Sequence, residues 1–186
     1  MSRMVVLVIG MAALLAPGAT DAAAQGEPLQ GYATVHLGAA RGGDVPGTWR
    51  TVGGSVAVVE GSGWGAEMDL GYATHKVSGY DSSVGTFMVN LTWVSPKGNV
   101  RPFAVVGAGA MRLNGCLTGC AGGRSTTDFA LNAGAGAFLR FNDIVGVRGD
   151  ARYLWAPGDH PDLSRPDNYG FWRIAAGVTL QWAVVP

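Results

Sequence analysis

Along most of this chain apolar and polar residues alternate one by one, and tryptophans close the alternating segments. Trp64, Trp93, Trp155, Trp172 and Trp182 each share strand parity with an apolar set, as Trp64 does with Ala66, Met68, Leu70 and Tyr72. The opposite parity carries Thr, Ser, Asn, Asp, Glu and Arg. Successive side chains of a strand point to opposite faces, so one face of each segment is apolar and the other polar. Apolar residues with aromatics banding both ends describe a β-barrel whose solvent is lipid. Trp49 breaks the pattern: it precedes its segment and its odd number opposes the Val52, Val56, Val58 face, which places it in a loop.

Eight alternating segments follow one another, roughly Tyr32–Arg41, Thr51–Glu60, Trp64–His75, Thr86–Val94, Arg101–Leu113, Asp128–Phe141, Val145–Trp155 and Phe171–Trp182. Most are near the ~9–11 residues that cross a bilayer as a tilted strand. Short connections (Gly61–Gly63, Ser95–Asn99, Asn142–Asp143) alternate with long ones (Gly42–Arg50, Lys76–Gly85, Asn114–Thr127, Ala156–Gly170). Short periplasmic turns and longer outward loops are the rhythm of outer-membrane barrels. The expected fold is all-β, a closed antiparallel eight-stranded transmembrane up-and-down barrel. An even strand number puts both termini on the short-turn side.

The chain opens with Met1-Ser2-Arg3, an apolar run from Met4 to Leu15, and small residues ending in Ala22-Ala23-Ala24. This is the pattern of a secretory signal peptide, expected to span 1–24 and to leave a single barrel domain over 25–186. Thirteen basic and thirteen acidic residues cancel, and no basic run suggests nucleic acid as a partner. Glycine is abundant at 30 residues, which suits tight turns and close strand packing better than helices. Cys116 and Cys120, in a Gly-rich stretch, are expected to form a disulfide, because two thiols without a second Cys/His pair make a poor metal cage.

The inward set is Thr34, His36, Ser55, Glu67, Asp69, Asn90, Thr92, Asn132, Arg140, Arg148, Asp150, Arg152, Arg173, Thr179 and Gln181. Glu67 and Asp69 on the third strand lie across the lumen from Arg148, Asp150 and Arg152 on the seventh. An eight-stranded barrel is narrow enough for side chains to fill, so these five residues should pair as an interior plug. A narrow low-conductance, porin-like channel is the alternative use of such charges. A soluble lipocalin-like binding barrel would turn its apolar face inward, against the pattern here. A lipid-modifying barrel enzyme would need Ser and His together on the membrane-facing wall, and no strand offers them. His36 reads as an interior polar residue and His75 as a rim residue. Asp159, Asp162, Asp167 and Asn168 match no rigid calcium loop, so no metal and no cofactor is expected.

With these motifs in place the chain resembles the small outer-membrane protein β-barrel family, of OmpA/OmpX type. The likeness rests on Arg101-Pro-Phe-Ala-Val-Val-Gly-Ala-Gly109, Asn132-Ala-Gly-Ala-Gly-Ala-Phe138, Gly146-Val-Arg-Gly-Asp-Ala-Arg-Tyr153 and Ala176-Gly-Val-Thr-Leu-Gln-Trp182. It implies an outer-membrane location, contact with outer-membrane lipid, insertion by the barrel-assembly machinery, and a non-enzymatic role in structure or surface interaction through the loops. The family's assembly signal is a last strand that ends in an aromatic residue. Trp182 supplies it, although Ala183-Val184-Val185-Pro186 follow.

Overall fold

The computed structural model describes residues 29–77, 80–115, 124–158 and 168–184. The 1–24 leader, Cys116 with Cys120, and the acidic stretch from Asp159 to Asp167 lie outside the described residues. Eight strands follow in chain order: β1 (Leu29–Gly42), β2 (Val45–Val59), β3 (Trp64–Val77), β4 (Tyr80–Val94), β5 (Val100–Gly115), β6 (Arg124–Arg140), β7 (Val145–Pro157) and β8 (Asn168–Val184). Each pairs antiparallel with its chain neighbours, and β8 pairs with β1 to close the barrel. Closure leaves no strand edge with unpaired backbone groups, which is the condition for β-structure in lipid.

The parity deduced from sequence is the parity of the wall. Leu91 on β4 and Val178 on β8 are 54% and 56% exposed, while their neighbours Asn90, Thr92 and Thr179 are buried. Trp64, Trp93, Trp155, Trp172 and Trp182 all face outward. Trp64 and Trp93 stand opposite each other near the short turns, and Trp182 lies at the same end of β8. Trp155 and Trp172 occupy the other end, where the Tyr153 ring lies 5.3 Å from that of Trp172.

The short turns are built by local hydrogen bonds. The Gly63 N–H donates to the Glu60 carbonyl (2.9 Å), and the Gly63 carbonyl accepts from the Val94 N–H (2.8 Å). Its φ of 94° is one that favours glycine. In the turn after β6, the Asn142 side-chain oxygen accepts from the N–H groups of Ile144 and Val145, an Asx turn that reverses the chain in four residues.

Three expectations require correction. Trp49 lies in β2, not in a loop; it points inward, is 2% exposed and stacks on His75 with centroids 5.6 Å apart. The connection expected over Gly42–Arg50 shrinks to Gly43 and Asp44, because β1 and β2 stay paired up to Gly42↔Val45 with a register shift after Arg41. Similarly, β3 and β4 run on to Val77 and Tyr80, so the Lys76–Gly85 loop is mostly strand. Strands of 13 to 17 residues exceed the ~9–11 that cross the bilayer, so the ladder continues beyond it.

The outward face yields a direct test. Leu91→Arg should destabilise the barrel by up to ~2–4 kcal/mol, the more the nearer it lies to the bilayer midplane, and Leu91→Ala by less. Reversible folding into lipid vesicles measures both; equal costs would contradict the face assignment.

Candidate functional site: a charge lattice in the lumen

Three strands aim charged side chains into the middle of the barrel, and two more add polar ones. β3 brings Glu67 and Asp69, β7 brings Arg148, Asp150 and Arg152, and β8 brings Arg173. β1 adds His36 and β4 adds Asn90. The structure draws the five sequence-predicted residues into contact and adds Arg173 to them.

Glu67 sits at the centre, 2% exposed. Its Oε2 accepts from Arg148 Nη1 at 2.6 Å, and its Oε1 lies 2.7 Å from Arg152 Nη2. Asn90 Nδ2 donates to the same Oε1 at 3.2 Å, and Asn132 Nδ2 donates in turn to Asn90 Oδ1 at 2.7 Å. Asp69 is held bidentately by Arg173, Nη1 to Oδ1 at 2.7 Å and Nη2 to Oδ2 at 3.0 Å. Arg152 Nη1 stands 3.7 Å from Asp69 Oδ2, and His36 Nε2 stands 3.4 Å from that same oxygen. Asp150 bridges its own strand, accepting from Arg148 Nε (3.0 Å) and Arg152 Nε (3.3 Å). Three carboxylates therefore meet three guanidiniums. Isolated, each buried charge would cost several kcal/mol; paired and hydrogen-bonded, they offset one another.

Glycines let this lattice fit. A Cβ at Gly71 would stand 2.9 Å from Arg173 Nη1, and one at Gly134 would stand 2.7 Å from Arg152 Cγ. Side chains there would occupy the space through which the arginines cross the lumen.

Apolar layers cover the lattice at both ends. Towards the short turns lie Tyr32, Ala57, Val59, Val94, Phe103, Val105 and Phe138. The Arg148 guanidinium rests against the Phe103 and Phe138 rings, 4.3 and 5.1 Å from their centroids, adding cation–π attraction to its ion pairs. Towards the loop end a larger cluster includes Trp49, Met88, Met111, Leu154, Tyr169 and Phe171.

Sequence reasoning missed one interior cation. Arg101 is 4% exposed, and its guanidinium donates to Tyr32 Oη (2.6 Å), Gln30 Oε1 (2.9 Å) and the Ser95 carbonyl (2.6 Å). Both faces of β5 are rich in Ala, Val and Gly, so parity gave no direction there. Two residues of the expected inward set sit at the short-turn mouth instead of deep inside. Arg140 is one-third exposed and pairs with Asp143 at 2.9 Å, and Gln181 donates to the Asn142 carbonyl.

A lipid-faced, eight-stranded barrel with a neutralised polar lumen defines the class: a small outer-membrane barrel. The chain matches the outer membrane protein β-barrel domain family over residues 9–180 and belongs to it, which places it in the outer membrane. No curated protein matches it in sequence. Among solved structures it is similar to Neisserial surface protein A, at 13% identity with a TM-score of 0.63, covering 83% of this chain and 97% of that one. It is similar also to Ail, the attachment invasion locus protein of Yersinia pestis, at 13% identity and TM-score 0.55, over 84% of this chain and 99% of Ail. A third likeness is to the N-terminal β-barrel domain of Pseudomonas aeruginosa OprF, at 14% identity and TM-score 0.52, over 85% and 100% of the two chains. At these identities the likeness is one of fold.

Because Asp69 and Arg173 form a bidentate buried pair, Arg173→Met should destabilise by ~3–5 kcal/mol by stranding the carboxylate. Adding Asp69→Asn should recover part of that loss. A double-mutant cycle on reversible folding gives the coupling directly, and strict additivity would show that the pair does not act as a unit.

Proposed function

We propose that the protein is a surface-display barrel: a sealed, stiff wall in the outer membrane that carries its working parts in the loops. The role is structural or one of surface interaction, neither catalytic nor ion-conducting. The observation that carries this reading is the lumen. Glu67, Asp69 and Arg152 are 2%, 1% and 1% exposed, with an apolar layer above and another below. A pore needs a wet path along such charges, and an acid/base site needs substrate to reach them. His36 faces Asp69 inside this packed region.

The 1–24 segment acts as a cleaved export signal, and the barrel-assembly machinery inserts the mature chain with the 116–123 and 159–167 connections on the cell surface. Cys116 and Cys120 close a disulfide that stiffens the first of these. Both connections leave strands whose ends are tied into the ladder, β5–β6 through Gly115↔Arg124 and β7–β8 through Pro157↔Asn168, so a partner would meet loops on a rigid rim.

Protease added to intact cells should cut within 116–123 or 159–167 without cutting the strands. Cleavage that appears only after the outer membrane is permeabilised would reverse the orientation. In planar bilayers the purified barrel should give no stable current steps, and steady single-channel conductance would overturn the sealed lumen. Mass spectrometry of non-reduced protein should show the Cys116–Cys120 bond, and Cys116→Ser with Cys120→Ser should leave folding intact while speeding loop proteolysis. Two free thiols in protein taken from the outer membrane would refute the disulfide.

A further inference from the structure

Among the described side chains, charge on the lipid-facing wall is confined to one end and to one sign. Among the described side chains within strands, the outward charged residues are Arg41, Arg50 and Arg112, all towards the loop end, and no Asp or Glu faces outward. Arg41 on β1 and Arg50 on β2 are both exposed. Arg41 follows the buried Ala40, and Arg50 lies between the buried Trp49 and Thr51. Register sets Arg41 opposite Thr48 and Arg50 opposite Ala39, so the two arginines are diagonal neighbours on one face. Their backbones are about 7–8 Å apart on that geometry, close enough for two long side chains to converge on one anion. No hydrogen bond or ion pair joins either to another described residue.

The surroundings say what kind of anion fits. On the other side of Arg41, directly across the β1–β8 ladder, stands the outward Trp172. Below the pair the wall is apolar and exposed: Leu37 and Val35 on β1, Ile174 and Val178 on β8, with Leu37 at 66%. Leu37 pairs with Ala176, and Val35 with Val178, so small and branched side chains form one continuous surface down to mid-wall. Guanidiniums at the height of an interfacial tryptophan, above an acyl-compatible strip, match a lipid that has phosphate on its headgroup and several chains. A soluble phosphate would have no use for the strip.

We propose that Arg41 and Arg50 form a binding site for the headgroup phosphate of a phosphorylated glycolipid in the outer leaflet, its acyl chains lying along Leu37, Val35, Ile174 and Val178. The placement in that leaflet rests on the orientation proposed above. Binding in a reconstituted system does not depend on orientation, so the two readings can fail separately.

The test uses the refolded full barrel in phosphatidylcholine nanodiscs doped with bisphosphorylated lipid A, or with the same glycolipid stripped of phosphate. Lipid co-purifying after detergent extraction is counted by mass spectrometry. The unaltered protein should retain the phosphorylated glycolipid, and Arg41→Gln and Arg50→Gln should each lower retention about fivefold, the worth of one interfacial cation. The phosphate-free glycolipid should be held weakly and equally by unaltered and variant barrels. Arg112→Gln, on the far side of the wall, is the control and should change little. Equal retention by the unaltered protein and the double variant would overturn the proposal. So would a loss for Arg112→Gln as large as for either of the pair, because that would be general surface charge. Heat-modifiable gel migration verifies that each variant is folded.

Discussion

A chain that crosses lipid as strands must satisfy every backbone N–H and C=O within itself, and the rest of this structure depends on that constraint. Closure of β8 onto β1 meets it. With eight strands, closure leaves an interior just wide enough for side chains. The wall is turned apolar side out, so the polar parity has nowhere to go but that narrow interior. Charges there must neutralise one another in a space with no bulk water. The three carboxylates and three guanidiniums of the lattice are thus a consequence of the lipid outside as much as of any task inside.

The lattice is arranged for mutual restraint. Glu67 touches two arginines from one strand, Arg148 and Arg152, while Asp150 between them receives the Nε of both. Asp69 then ties β3 to β8 through Arg173 and to β1 through His36. Strands that are not neighbours in the ladder are in this way linked across the lumen. A replacement by apolar residues could be as stable in principle, but it would offer no fixed crosslinks between opposite walls. The outer ends of the strands, extended past the membrane, would then flex with the loops they carry.

Much of this was legible in the sequence because a barrel wall has a period of two, and period survives translation from chain to structure. Strand number, face assignment and the outward tryptophans all follow from it. The register between strands does not, since it is fixed by how the barrel shears as it closes. Glu67 and Arg148 could be placed opposite each other by strand number alone, four strands apart. The reach of Arg173 to Asp69 depended on register and on the space left at Gly71, neither of which a single sequence displays. Arg101 was missed for a simpler reason: its strand is apolar on both faces. Trp49 was misread because its inward parity, correct for a lumen residue, looked like a departure from a rule about outward tryptophans. Its position ahead of the alternating segment then suggested a loop where the ladder in fact continues.

The two apolar layers add the last step. An ion-pair lattice open to water at either end would be screened, and its members would exchange partners with solvent. Phe103 and Phe138 below, and Trp49, Leu154 and Phe171 above, remove that competition. The phenylalanines also bear directly on Arg148, so the lower layer is itself part of the electrostatics. The barrel therefore has two apolar boundaries for different reasons. The outer one meets lipid along the wall; the inner one caps the charges that the outer one forces inside. Among the described residues, the lipid-facing charges that remain lie near the rim, and Arg41 and Arg50 stand there side by side.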